Sequence, residues 1–440
     1  MGRHQASIAI LLGILLTNGA WAQSPGKTSR DYGAPGPEWL RGSEVFSGWY
    51  NEWTPEALGQ IKGFSFVITT THTREIVDKL HALGVHAIFY INPYVLYSPT
   101  GIAQELRIRE KTKEPGAGWY PLLVASPFCQ VMDPVQHPEW IWVGQDGYPR
   151  KQRCTYEETY HGNIVARQVC PNAPGYREAI LQGISTLLDT GADGFFIDCD
   201  EFWARKQCNG PEFKLHTHVD PRLDQSQAWL AIQKQIYEMA KSRGQDKVVL
   251  INGWGPQGPA DYLRYADGFM LESYIVTHVS TRRSPWGKIQ AMATQMAPAV
   301  KAGKTVLALS YVGYTPLGMD ADAFYSYACA RLFAYAWSDY FTLADARATL
   351  LYRLRLGSGR SEVMESNGVL YRLFENGVVT LNPTNEDRRI KIKTGFSFLR
   401  EVLTNRRYHP DDEAIGASLE TPALEAIIPA QSARVFLSEP

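Results

Sequence analysis
The sequence lacks any apolar run near the roughly 20 residues that a membrane-spanning helix requires, which excludes an internal membrane anchor. It also lacks a charge bias: 44 basic residues face 45 acidic ones, in no long run of either sign. That balance gives no electrostatic footprint for a nucleic-acid backbone or an acidic membrane surface. No two cysteines have the CxxC spacing of a common zinc or dithiol motif. There is no phosphate-binding glycine loop and no nucleotide fingerprint, and Ser310 lacks the flanking glycines of a nucleophile elbow.

What is present begins with an export signal. Arg3 supplies positive charge, Ala6 to Leu16 is an apolar run, and Ala20-Trp21-Ala22 closes it with small residues around a large one. Cleavage near Ala22 would release the chain to the periplasm or the medium. Gln23 stands where a lipid anchor would need cysteine. Export permits disulfides among Cys129, Cys154, Cys170, Cys199, Cys208 and Cys329, with Cys154–Cys170 and Cys199–Cys208 as the expected pairs. Cys199 and Cys329 read equally well as small buried apolar residues. Aromatic content is high, with 12 Trp and 23 Tyr, more than packing a core calls for.

After a linker over 23–42, short β-rich runs alternate with amphipathic helical patterns, the mark of βα units around a parallel sheet. Strands are expected at 45–50, 64–70, 86–92, 194–198, 248–252, 268–272, 305–311 and 339–343. Eight such strands close a (β/α)8 barrel, here over 43–350. Ile76, Leu80 and Leu83 recur at helical spacing and Gly84 stops them; Ile180, Ile184, Leu187 and Leu188 with Gly191 repeat the device. An aromatic insertion over 95–170, carrying Trp119, Tyr120, Trp140, Trp142, Tyr148, Tyr156 and Tyr160, follows the third strand and is expected over the active face. From 351 to 440 the pattern becomes a small antiparallel β-sandwich, with Asn376-Gly377 as its clearest hairpin signal.

Barrel catalysts draw their groups from the carboxyl ends of different strands. Two runs, Ala192-Asp193-Gly194-Phe195-Phe196-Ile197-Asp198 and Ala266-Asp267-Gly268-Phe269-Met270-Leu271-Glu272, each end in a carboxylate after strands four and six. Cleaving a glycosidic bond takes one acid on the leaving oxygen and one carboxylate that attacks the anomeric carbon or activates water. Asp198 suits the nucleophile or stabiliser, and the longer Glu272 suits the general acid/base. Asp200 and Glu201 follow at once and could bind sugar hydroxyls; an alternative makes Asp200 the reactive acid and Asp198 structural. Asn92, Asn252, Trp254, Tyr274, Tyr311 and Asp345 complete a set of substrate-binding candidates, Trp254 as the stacking ring. Asn92, before Pro93, reads equally as a turn residue. Trp49, Tyr50 and Tyr90 read as core layers outside the site.

Residues 192–201, Asn252-Gly253-Trp254-Gly255 and 265–274 resemble the corresponding stretches of (β/α)8 glycoside hydrolases related to endo-α-1,4-polygalactosaminidase and to hypothetical glycosidase families. That resemblance implies a glycosidase on a TIM barrel with an Asp after strand four and a Glu after strand six, at Asp198 and Glu272. The long insertion departs from the compact polygalactosaminidase pattern. The implied partner is a polysaccharide or oligosaccharide, with no nucleic acid, no cofactor and no metal. Two other readings compete. One is a metal-dependent polysaccharide deacetylase using His216-Thr217-His218 and Asp220, although that pair lies in a Pro-bounded loop rather than at a strand end. The other is a carbohydrate-binding barrel without turnover.

Overall fold
The computed structural model describes residues 31–48, 53–112, 132–143, 158–160, 163–198, 208–253, 262–277, 282–312, 316–339, 348–408 and 423–439. Eight parallel strands form one sheet in chain order: β1 (Phe46–Ser47), β2 (Phe66–Thr69), β3 (His86–Ile91), β4 (Gly194–Ile197), β5 (Val248–Asn252), β6 (Gly268–Leu271), β7 (Thr305–Ser310) and β8 (Ala336–Asp339). A parallel bridge from Val45 to Trp337 joins the two edges, which makes the sheet a nearly closed (β/α)8 barrel. Strand positions match the apolar runs, except that β8 lies before the expected 339–343. Tyr335, Ala336 and Trp337, at and just before its start, are all at 1 % exposure or less. No described helix is long and apolar enough to cross a membrane.

The chain divides into two compact units. One is chiefly Ile68–His81 and His86–Asp267; the other comprises Pro35–Val67, Ala82–Val85 and Gly268–Pro440. In the first, β3, β4 and β5 pair in register through Ile88–Gly194 and Gly194–Val248. Gly194 is needed there, because a Cβ would meet the Val248 carbonyl oxygen at 2.1 Å. Helix Arg74–Ala82 buries Ile76, Val77 and Leu80, while Leu83, expected in the same stripe, follows the helix and is half-buried; helix Tyr176–Leu188 buries Ile180, Ile184, Leu187 and Leu188, as the spacing predicts. The glycines beyond them, Gly84 and Gly191, take left-handed φ of 72° and 94°. A small antiparallel sheet of Val95–Tyr97, Asn163–Gln168 and Glu158–Tyr160 stands in the insertion. Trp140 and Trp142 of that insertion are buried at 4 % and 7 % exposure, so they pack the protein rather than line a surface.

The second unit contains β1 and the start of β2, β6 with β7 and β8, and the antiparallel strands β9 (Met364–Ser366), β10 (Val369–Phe374), β11 (Gly377–Asn382), β12 (Arg388–Lys393), β13 (Leu399–Glu401), β14 (Arg407–Tyr408), β15 (Ala423–Ile428) and β16 (Ser432–Ser438). Six of these form a sheet in the order β9-β10-β11-β16-β13-β14, and β12 pairs with β15. Val369, Val378, Ile390, Ile392, Leu424, Ile428 and Phe436 fill the core. In the β10–β11 hairpin Phe374 faces Gly377, so Glu375-Asn376 is the turn and Gly377 opens the next strand. Helix Met319–Leu332 is buried on every side from Asp322 onward, because β11 and β16 cover the face that the barrel leaves free. Arg372 of β10 donates to the carbonyls of Arg331 and Leu332, pairing acceptors that the helix end leaves open.

Candidate active site
In the first unit, Asp198 follows β4 directly and is 8 % exposed. Its backbone N–H continues the pairing of β4 with β3 by donating to the Ile91 carbonyl at 2.9 Å. The Tyr90 hydroxyl, from β3, donates to Oδ2 at 2.5 Å, and the Asn252 amide, at the end of β5, donates to Oδ1 at 2.8 Å. Three neighbouring strands therefore deliver three groups whose hydrogen bonds fix one carboxylate orientation. Tyr90, which reads as a core layer from its place in an apolar strand, thus contacts the Asp198 carboxylate. The one sequence signal is that it stands on β3 next to the strand carrying Asp198 and only two residues before Asn92.

In the second unit, Glu272 follows β6 and the Tyr311 hydroxyl, after β7, donates to its Oε1 at 2.5 Å. Ser273 takes a left-handed φ of 59°, a conformation that costs energy for a residue with a Cβ and that turns the chain sharply after Glu272. The chain is then fixed by Tyr274 N–H to the Leu309 carbonyl at 2.8 Å and Ile275 N–H to Ser310 Oγ at 3.3 Å. Each carboxylate thus carries a tyrosine hydroxyl from an adjacent strand, Asp198 from the strand before its own and Glu272 from the strand after.

Tyr274, expected at the substrate, lies buried. At 1 % exposure it packs edge-on against Tyr335 and leaves its hydroxyl without a hydrogen-bond partner among the described residues. Burial pushes its phenol well above the usual range. It sits as a core side chain packed against Tyr335. Asn92 uses its Oδ1 to accept the N–H groups of Tyr94 and Val95, so that oxygen shapes the turn after β3. Asp200, Glu201, Trp254 and Asp345, like Trp49 and Tyr50, lie outside the described residues. A further acid at a strand end, Asp339 of β8, is 5 % exposed and accepts the Tyr352 hydroxyl at 3.0 Å.

The other aspartates of the two repeated runs do different work. Asp193, ahead of β4, accepts the Ala87 N–H at 2.8 Å and the His81 ring at 2.7 Å; Asp267, ahead of β6, accepts the Val249 N–H at 2.9 Å and the Lys241 ammonium at 2.8 Å. Each latches the start of its strand to a neighbour. Burial opposes the charge on Asp193, but hydrogen bonds from His86, His81 and the Ala87 N–H outweigh it, and the carboxyl is held well below the usual carboxylate range.

The expected disulfides are not formed. Cys170 and Cys208 carry free thiols and lie beside each other with His216 and His218, the four ligating atoms all within 4.8 Å of one another. Cys154 and Cys199 lie outside the described residues, while Cys329 is a buried free thiol, as its small-apolar reading has it. Asp220 stands apart from the cluster, bound to Arg222 at 2.8 Å and 2.9 Å, so the His216-Thr217-His218 segment is joined by thiols and not by an acid.

A parallel eight-stranded barrel with carboxylates at strand ends is an architecture shared by many enzymes, glycoside hydrolases among them. Residues 125–378, more than half of the chain, match hypothetical glycosyl hydrolase family 15. The protein belongs to that family and is a glycosidase. No curated protein matches it. Among solved structures it is similar to a debranching enzyme from Nostoc punctiforme, with 13% identity, a TM-score of 0.53, and 92% of this chain and 100% of that one covered. It is also similar to Amy13B of Eubacterium rectale, with 10% identity, a TM-score of 0.51, and 93% and 98% covered. At these identities the likeness is one of fold.

Proposed function
We propose that the protein cleaves O-glycosidic bonds of a polysaccharide or oligosaccharide with Asp198 as nucleophile or stabiliser and Glu272 as general acid/base. The observation that carries this reading is the hydrogen bonding of Asp198 to Tyr90 and Asn252, since a carboxylate that only orders a loop has no need of two side-chain donors from flanking strands. The Tyr311 bond to Glu272 supports the second role, because a hydroxyl partner lets the acid pass between protonated and ionised forms without losing its contact. Parallel barrel strands end on one face, where substrate would lie. The reading includes export with removal of residues 1–22, which N-terminal sequencing of the mature protein tests.

The decisive experiment is reducing-end release from a panel of bacterial and plant polysaccharides by wild type, Asp198→Asn and Glu272→Gln. Both variants are expected to fold and to lose at least about 100-fold in kcat, the lower range for removing a general acid or base. Full activity in either would remove that residue from the mechanism.

A further inference from the structure
Outside the carboxylates, the first unit holds a cluster that glycoside cleavage does not use. Cys170 comes just before helix Tyr176–Leu188, while Cys208, His216 and His218 lie in the connection from β4 to helix Gln225–Arg243. Cys170 Sγ is 3.6 Å from His218 Nε2, and Cys208 Sγ is 3.7 Å from His216 Nε2. Zinc at about 2.3 Å from sulfur and about 2.0–2.1 Å from nitrogen sets its ligands roughly 3.6 Å apart in a tetrahedron. We propose that Cys170, Cys208, His216 and His218 form a closed structural zinc site that pins the loop following Asp198.

Three independent features fit a metal. First, Cys208 Sγ accepts the N–H groups of Val143 and Gly210, both at 3.4 Å, the backbone donation that stabilises a metal-bound thiolate. Second, Gly210 leaves the room His216 occupies, since a Cβ there would come within 2.2 Å of the ring. Third, the segment has almost no core of its own: Phe213, Leu215 and Val219 are 42 %, 45 % and 61 % exposed. A segment that buries so little apolar surface needs another tie. Asn172 supplies part of it, its amide donating to the Asp220 carbonyl and its Oδ1 accepting the Asp220 N–H, which holds the histidine loop against the chain after Cys170.

Two sulfur and two nitrogen donors in a compact set select zinc over calcium or magnesium. Each cysteine would give its proton to solvent on binding, and four protein ligands leave no open position for substrate. The site is therefore a staple and not the deacetylase centre.

The test is metal analysis of untagged full-length protein, with X-ray absorption at the zinc edge. One zinc per chain in a two-sulfur, two-nitrogen shell is the expected result. His218→Ala and Cys170→Ser should lower zinc content to a trace and speed proteolysis between residues 208 and 220. Metal-free wild type would overturn the proposal. In that case a mass lower by two hydrogens identifies a Cys170–Cys208 disulfide, and two reactive thiols identify an unmetallated pair. If the variants fail to fold, the wild-type spectrum alone decides.

Discussion
At the scale of single residues, the two tyrosine hydroxyls matter most. A hydrogen bond to a charged group contributes about 1.5–3 kcal/mol, so Tyr90→Phe and Tyr311→Phe are each expected to lower kcat by roughly 10- to 100-fold. Steady-state kinetics with circular dichroism checks this, and an unchanged kcat in Tyr90→Phe would show that Asn252 alone orients Asp198. His72 offers a second test. It is buried at 4 % exposure against Phe89, with Nε2 2.8 Å from the Tyr90 carbonyl oxygen. Burial lowers its pKa to about 4 from 6.5. A base whose folded pKa is depressed stabilises the fold above its unfolded pKa and loses that contribution as pH falls, here between 6.5 and about 4. Denaturant titrations across that window should show stability falling, and His72→Gln should flatten the slope.

At the scale of elements, apolar runs and helix stops were legible because burial on both faces of a parallel strand leaves a nearly continuous apolar signature. The strand-end acids Asp198 and Glu272 were legible for the same reason, as carboxylates that break such a run. Tyr90 and Tyr274 were not: a tyrosine looks alike whether its hydroxyl meets a carboxylate or is buried with no partner among the described residues. The repeated Ala-Asp-Gly-Phe runs invite a functional reading, yet Asp193 and Asp267 are latches at the opposite ends of their strands from Asp198 and Glu272. Position 170 and positions 208–218 are too far apart for spacing to announce a ligand set. The latches are testable. Asp267 is fully buried against Lys241, and breaking such a pair costs about 3–5 kcal/mol. Asp267→Ala should lower the melting temperature markedly while kcat per folded molecule stays near wild type, as thermal denaturation and active-site titration would show.

At the scale of the whole molecule, a barrel of eight strands supplies a rigid frame on which strand ends can carry chemistry while the connecting loops vary. The second unit builds the C-terminal strands into the same body as β6, β7 and β8. Arg283, ion-paired to Asp322 at 2.9 Å, donates to the Gln431 carbonyl at 2.7 Å, and Glu44 accepts the N–H groups of Leu356 and Gly357. A chain ending at residue 363 should accordingly be insoluble or bind hydrophobic dye, and a soluble, cooperatively melting fragment would contradict this.

Helix Met319–Leu332 has one further consequence, in the order of biosynthesis. Its outer face is covered by β11 and β16, and β16 follows every other described strand in the sequence. While the ribosome is still making that strand, the helix has no lid, so this unit can reach its final state only once β16 has emerged. Until then the nascent chain offers chaperones an apolar surface to hold.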